Sequence, residues 1–168
     1  MTTQKLFLTF LGTGLNPRYA QLSTAALALL LGLGILLALG AETLFMTTLA
    51  VSLIAIFEIN KHLNAHLELS REEAIRNVTI DKAAGLWLSM LIAWSAAGSY
   101  TFSYAQELAL LFSFASFLLF ESWQPSTIGW IRRNVKGGLG VVGSTLLSGF
   151  AGGFLAIVVM MGVDRIFR

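Results

Sequence analysis

The 168-residue chain has no cysteine, only two prolines, and charged side chains at 12% of its positions. Without thiols it has no disulfide framework, no thiolate metal site, no cysteine nucleophile and no covalent c-type haem. Soluble domains carry about 25% charged residues. Such scarcity of charge beside 56% hydrophobic residues excludes a disordered chain and a nucleic-acid binder, and argues against a water-soluble globule. Cations exceed acids only slightly, eleven against nine, which suits a surface that meets anionic lipid headgroups rather than a basic protein as a whole. The length fits a single domain, residues 1–168.

What the chain does have is long apolar runs. A bilayer core of about 30 Å takes roughly 20 helical residues. Leu22 to Leu39 carries no charge, and Leu44 to Phe57 follows after the break Gly40-Ala41-Glu42-Thr43, so the two form a helical hairpin. Further runs cover Ala83 to Ala97, Leu108 to Phe120 and Leu139 to Val163. The expected fold is an all-α, polytopic membrane bundle of about five spans. A four-span variant follows if the first hairpin is re-entrant. The stretch Leu6 to Leu11 after Lys5 is too short for a signal peptide and reads as an interfacial segment. With the N-terminus in the cytoplasm, Lys5, Arg18, Lys61, Arg71, Arg76, Lys82, Arg132, Arg133 and Lys136 fall inside, and only Arg165 and Arg168 fall outside. That bias sets the orientation. Ser70-Arg71-Glu72-Glu73 has the form of a capping box, and the spacing predicts one helix from Arg71 into the third run, with Glu73, Asn77 and Asp81 on one face.

Five constellations carry candidate chemistry. Gly12-Thr13-Gly14-Leu15-Asn16-Pro17-Arg18 either offers amides and a cation to an anion or simply turns the chain before the first span. Asp81, at the cytoplasmic boundary of the third run, either holds a divalent ion or pairs with Lys82. In the loop from Glu121 to Gly138, the cations Arg132, Arg133 and Lys136 with Asn134 and the pair Gly137-Gly138 form a phosphate cradle at a helix start; the alternative is an interfacial anchor, flanked by Trp123 and Trp130. Glu58, His62 and His66 share a helical stripe with zinc-like spacing, but a solvated helix face is the favoured reading. Gly140, Ser144, Ser148, Gly152 and Ala156, with Gly149 and Gly153 beside them, form a small-residue stripe for close helix packing. No ionisable residue sits at a span centre, which argues against a channel or pump.

In order and spacing, these segments resemble the phosphatidylglycerophosphatase A family over nearly the whole chain. Gly12-Thr13-Gly14-Leu15-Asn16-Pro17 is similar to the family's Gly-Ser-Gly-Leu-Ser-Pro. Val78-Thr79-Ile80-Asp81-Lys82-Ala83-Ala84-Gly85 resembles its Ile-Val-x-Asp-Glu-x-x-Gly. Glu121-Ser122-Trp123-Gln124-Pro125 stands where the family has Asp-x-x-Lys-Pro. Arg133-Asn134-Val135-Lys136-Gly137-Gly138-Leu139-Gly140 follows at the family's interval, and Ser144-Thr145 occupies the place of paired aspartates.

The resemblance implies a helical, membrane-embedded phosphatase of the bacterial inner membrane. It would act at the cytoplasmic face with magnesium, releasing the terminal phosphate of phosphatidylglycerophosphate to give phosphatidylglycerol. It assigns Asp81 and Glu121 to the metal and to catalysis, and Arg133, Asn134, Lys136, Gly137 and Gly138 to the substrate phosphate. Its partners are then a phospholipid substrate and the membrane, with no nucleic acid. The acidic pattern is eroded: Lys82 replaces a glutamate, Ser144 and Thr145 replace aspartates, and Gln124 replaces a lysine. The alternative is therefore a catalytically inactive paralogue that binds anionic lipid or a membrane partner.

Overall fold

Each apolar run becomes a helix, and each helix extends past its run. The computed structural model describes residues 3–13, 20–66, 68, 70–101 and 103–167. Among them lie α1 (Thr3–Leu8), α2 (Ala20–Leu39), α3 (Ala41–Ala65), α4 (Arg71–Ile75), α5 (Ile80–Ala97), α6 (Ala105–Trp123), α7 (Ser126–Asn134) and α8 (Gly137–Phe167), with no strand. The segment Gly14 to Arg18, which holds most of the glycine-rich N-terminal motif, lies outside the described residues.

Among the described residues, four helices are long and apolar enough to cross a membrane: α2, α3, α6 and α8. Their large apolar side chains point outward, among them Leu30 and Leu37 on α2, Phe57 on α3 and Leu119 on α6. That pattern suits helices whose outer faces meet lipid tails. The fifth long helix, α5, carries Asp81 and Lys82 in its first turn, and eleven of its eighteen residues are buried. It packs against α2, α3, α6 and α8, with α8 its principal neighbour, so protein surrounds the helix that bears the acid.

The hairpin of α2 and α3 needs only one residue outside the helices. Gly40 has φ +89, a left-handed conformation open to glycine. The close contact of α5 with α8 also depends on glycine. A Cβ on Gly85 would lie 2.5 Å from the Thr145 carbonyl oxygen, and one on Gly149 would strike the Gly85 carbonyl. All of Gly140, Ser144, Ser148, Gly152 and Ala156 are buried, as are Gly149 and Gly153, so the small-residue stripe is a packing face.

Three expectations about local structure are corrected. The helix begun at Ser70 does not run on into α5. Its capping box forms, with the Ser70 hydroxyl accepting from the Glu73 amide and the Glu73 carboxylate accepting from the Ser70 amide, yet α4 ends at Ile75. The β-branched run Val78-Thr79-Ile80 disfavours helix, and the Thr79 amide instead donates to the Leu8 carbonyl at 2.8 Å. Glu73 and Asn77 are therefore exposed while Asp81 is buried, and they share no face. Glu121 is not in a loop, because α6 continues to Trp123 and stops where Gln124 takes a left-handed φ of 44 before Pro125. The expected loop after it is largely helical, forming α7.

Candidate functional site

One end of the bundle gathers the chemistry. The N-terminus of α5, the C-terminus of α6 and the start of α8 meet there, with α7 folded back across them. The opposite end holds the Asp164 carboxylate, which accepts from the Thr101 amide at 3.1 Å and the Thr101 hydroxyl at 2.9 Å.

Asp81 is fully buried in the first turn of α5, where the helix dipole favours an acid. Its Oδ2 accepts from Thr145 Oγ1 of α8 at 2.8 Å, and its Oδ1 has no hydrogen-bond partner. Glu121 is 4% exposed. Its Oε1 accepts from Arg132 Nη1 at 3.0 Å, and its Oε2 has no partner. The Glu121 carboxylate lies within electrostatic reach of Asp81, Arg132 and Lys82, and beside the Ser148 hydroxyl. Thr145 and Ser148 are three residues apart on α8, so they stand on one face of neighbouring turns. The structure thus brings Asp81 and Glu121 to the same stretch of α8. Each keeps one buried oxygen unsatisfied, a costly state for a carboxylate.

A cleft of about 510 Å³, not lined by either acid, opens beside Arg132, the ion-pair partner of Glu121, and Lys82, the neighbour of Asp81 in the chain. Arg76 enters it from the break between α4 and α5, Lys82 from α5, Gln124 from the end of α6, and Arg132 and Arg133 from α7; Ile75 and Val78 supply apolar wall. Four cations around one cleft form a field suited to a multiply charged anion. The turn at Gln124 and Pro125 makes this arrangement possible, because it swings α7 back so that Arg132 reaches Glu121 eleven residues earlier.

The sequence-based phosphate cradle is distributed differently. Of its members, Arg132 and Arg133 line the cleft. Asn134 is exposed and gives its amide to the Trp130 carbonyl at 2.9 Å. Lys136 is exposed on the turn before α8. Gly137 and Gly138, read as an anion cradle, make a contact between helices: the Gly138 amide donates to Asn60 Oδ1 at 2.7 Å, and a Cβ on Gly138 would lie 3.0 Å from the Ile56 Cα. An Asn side chain from α3 takes the donor that a phosphate was expected to take. The family resemblance left Arg76 and Arg132 outside the phosphate-binding set, although the local run of cations already includes Arg132. The available signal was their charge, but only the folded chain shows that they converge.

Glu58 and His62 lie on the last turns of α3, and His66 is its C-terminal capping residue. His62 Nε2 donates to the Ala74 carbonyl at 3.1 Å and His66 Nδ1 to the His62 carbonyl at 3.0 Å, so these rings tie α3 to α4 and cap its end. Among the described residues, no three His, Asp or Glu side chains are grouped so as to hold a metal ion.

The model of the phosphatidylglycerophosphatase A family matches residues 6–163. No curated protein and no solved structure matches the chain.

Proposed function

The chain belongs to the phosphatidylglycerophosphatase A family, and on that premise we propose that it hydrolyses the terminal phosphate monoester of phosphatidylglycerophosphate at the cytoplasmic face of a bacterial inner membrane, with a pared-down acidic site. One observation carries the reading. Two buried carboxylates, each with an unsatisfied oxygen, are linked through Arg132 and Lys82 to a cleft lined by four cations.

A phosphate monoester carries about two negative charges near neutral pH. Arg76, Lys82 and Arg133 attract it into the cleft, and Gln124 offers it a neutral donor. Lys136 and Asn134, exposed just beyond, meet the headgroup as it arrives from the lipid surface. The acyl chains stay in the membrane beside the apolar outer faces. In this reading all five long helices span the bilayer, with the enclosed α5 crossing inside a ring of the other four.

The donor set fits magnesium. That ion prefers hard oxygen ligands and is usually held by one or two carboxylates together with substrate phosphate. Asp81 Oδ1 and Glu121 Oε2 are such oxygens; neither makes a hydrogen bond of good geometry, and only the Ser148 hydroxyl lies beside the Glu121 carboxylate. Asp81 and Glu121 would hold the ion, with Thr145 fixing the orientation of Asp81 from α8 and Arg132 that of Glu121 from the cleft side. When bound, magnesium supplies Lewis-acid charge to the phosphate being released.

A second reading has its own support. Lys82 and Arg132 already act electrostatically on Glu121, so two cations stand near two acids without an ion, as in an inactive paralogue that only binds anionic lipid. Purified protein assayed for phosphate release from phosphatidylglycerophosphate separates the two. The catalytic reading expects release that requires magnesium and is abolished by Asp81→Asn. Release no greater than in a protein-free control, across a series of divalent metals, overturns it.

A further inference from the structure

We propose that Arg132 binds the phosphate monoester of a lipid headgroup while holding Glu121 in place, and so couples the open cleft to the buried acid pair. This deepens the reading above and rests on it for the identity of the ligand. Arg132 both lines the cleft and forms an ion pair with Glu121.

The geometry gives it capacity for both duties. A guanidinium carries five N–H donors in a planar fork. One nitrogen, Nη1, is committed to Glu121 Oε1 at 3.0 Å. The Arg132 side chain remains 22% exposed while that of Glu121 is 3% exposed, so the arginine faces the cleft and the glutamate lies behind it. Arginine pairs with phosphate through parallel, charge-assisted bonds that a lysine cannot reproduce. Arg133 and Lys82 flank the same space and add to its positive field. A phosphate on the remaining donors of Arg132 is therefore held next to Glu121, at the distance a single guanidinium spans.

The consequence is that headgroup capture at this site needs no divalent cation. The test uses the full chain in phosphatidylcholine nanodiscs with a chelator present, and titrates dioctanoyl phosphatidic acid and, separately, inorganic phosphate. Wild type should bind the lipid more tightly than the free ion. Arg132→Gln should weaken lipid binding by about tenfold or more, the scale of a lost charge-assisted hydrogen bond. Arg132→Lys should restore it only in part. Because Arg132→Gln leaves Glu121 buried without its partner, the double variant Arg132→Gln/Glu121→Gln is decisive: it should regain the wild-type melting temperature yet bind as weakly as the single variant. Wild-type affinity in the double variant, unchanged affinity in Arg132→Gln or Arg132→Lys, or inorganic phosphate binding as tightly as the lipid would overturn the proposal. Binding that follows the expected pattern in a protein that releases no phosphate would refute the catalytic reading and leave this inference standing.

Discussion

Thr145 donates its hydroxyl to Asp81 across the closest approach of α5 and α8, at 2.8 Å. The same hydroxyl also lies 3.1 Å from the Val141 carbonyl of its own helix, but its one hydrogen goes to the nearer, charged oxygen of Asp81. A neutral donor here satisfies one oxygen of a buried carboxylate without adding a second negative charge to an enclosed place. The family pattern to which the chain is similar has an acid at this position. The threonine therefore lowers the local negative charge while keeping Asp81 oriented.

Thr145→Val removes that donor at nearly constant volume. Both oxygens of Asp81 are then buried without partners, which costs about 1–3 kcal/mol. The expected outcome is a lower unfolding temperature in detergent and reduced phosphate release. Asp81→Asn in the Thr145→Val background should recover part of the stability, since a neutral amide tolerates burial better than a carboxylate. Thermal unfolding of the two single variants and the double variant measures this.

The glycine contact beneath the same bond gives a second prediction. A Cβ on Gly85 would lie 2.5 Å from the Thr145 carbonyl and 2.8 Å from the Phe117 ring. Gly85→Ala should force α5 from α8, at about 1–3 kcal/mol for overpacking, and should lower activity by parting Asp81 from Thr145. Gly34 has open space around it and lies within α2. Gly34→Ala should leave activity unchanged and stabilise the helix by up to about 1 kcal/mol. Equal losses in both variants would show that the α5–α8 spacing is not what matters.

The boundary between what the sequence revealed and what it hid follows the range of the interactions. Hydropathy alone located all five long helices, because burial in lipid or protein acts on whole runs of residues. The end of α4 was hidden, since it depends on the Thr79 amide finding the carbonyl of Leu8, in a distant part of the chain. Glu121 looks like a loop residue in sequence because apolar composition stops at Phe120, while the helix continues where Arg132 returns to meet the acid. Asp81 and Glu121 were legible as candidates from the family pattern, but the cleft was not, since Arg76, Lys82 and Arg132 are joined only by topology. Gly137-Gly138 looks the same in sequence whether a phosphate or Asn60 takes the amide.

A third prediction concerns pH and the short helix beside the cleft. Hydrogen bonds from the Ser70 side chain, and then from its backbone amide, hold the Glu73 carboxyl below its ordinary value. A depressed carboxylate pKa stabilises the fold above the unfolded value, and that contribution is lost as pH falls through the folded value. The amides of α4 should therefore become less protected as pH drops below the ordinary glutamate value of 4.5. Hydrogen exchange, corrected for the intrinsic rate, measures this. Glu73→Gln should remove the pH dependence. A loss of protection that persists in that variant would assign the effect to another group.

The last prediction isolates the carboxylate pair from turnover. A ligand that binds only the folded protein raises its stability by RT ln(1 + [L]/Kd), or about 2.7 kcal/mol at a hundredfold excess over Kd. If Asp81 and Glu121 hold magnesium, adding the ion to wild-type protein in detergent should raise its unfolding temperature, and a chelator should reverse the rise. Asp81→Asn and Glu121→Gln should each abolish most of the shift. The amide introduced by Asp81→Asn would still offer a carbonyl oxygen to Thr145, so loss of the shift without a large drop in starting stability would point to the ion and not to the fold. Glu58→Gln serves as the control, because Glu58 also has a buried oxygen without a partner but lies on α3, away from the cleft lining. An equal shift in wild type and both acid variants would place magnesium elsewhere and leave Lys82 and Arg132 as the counter-charges of the pair.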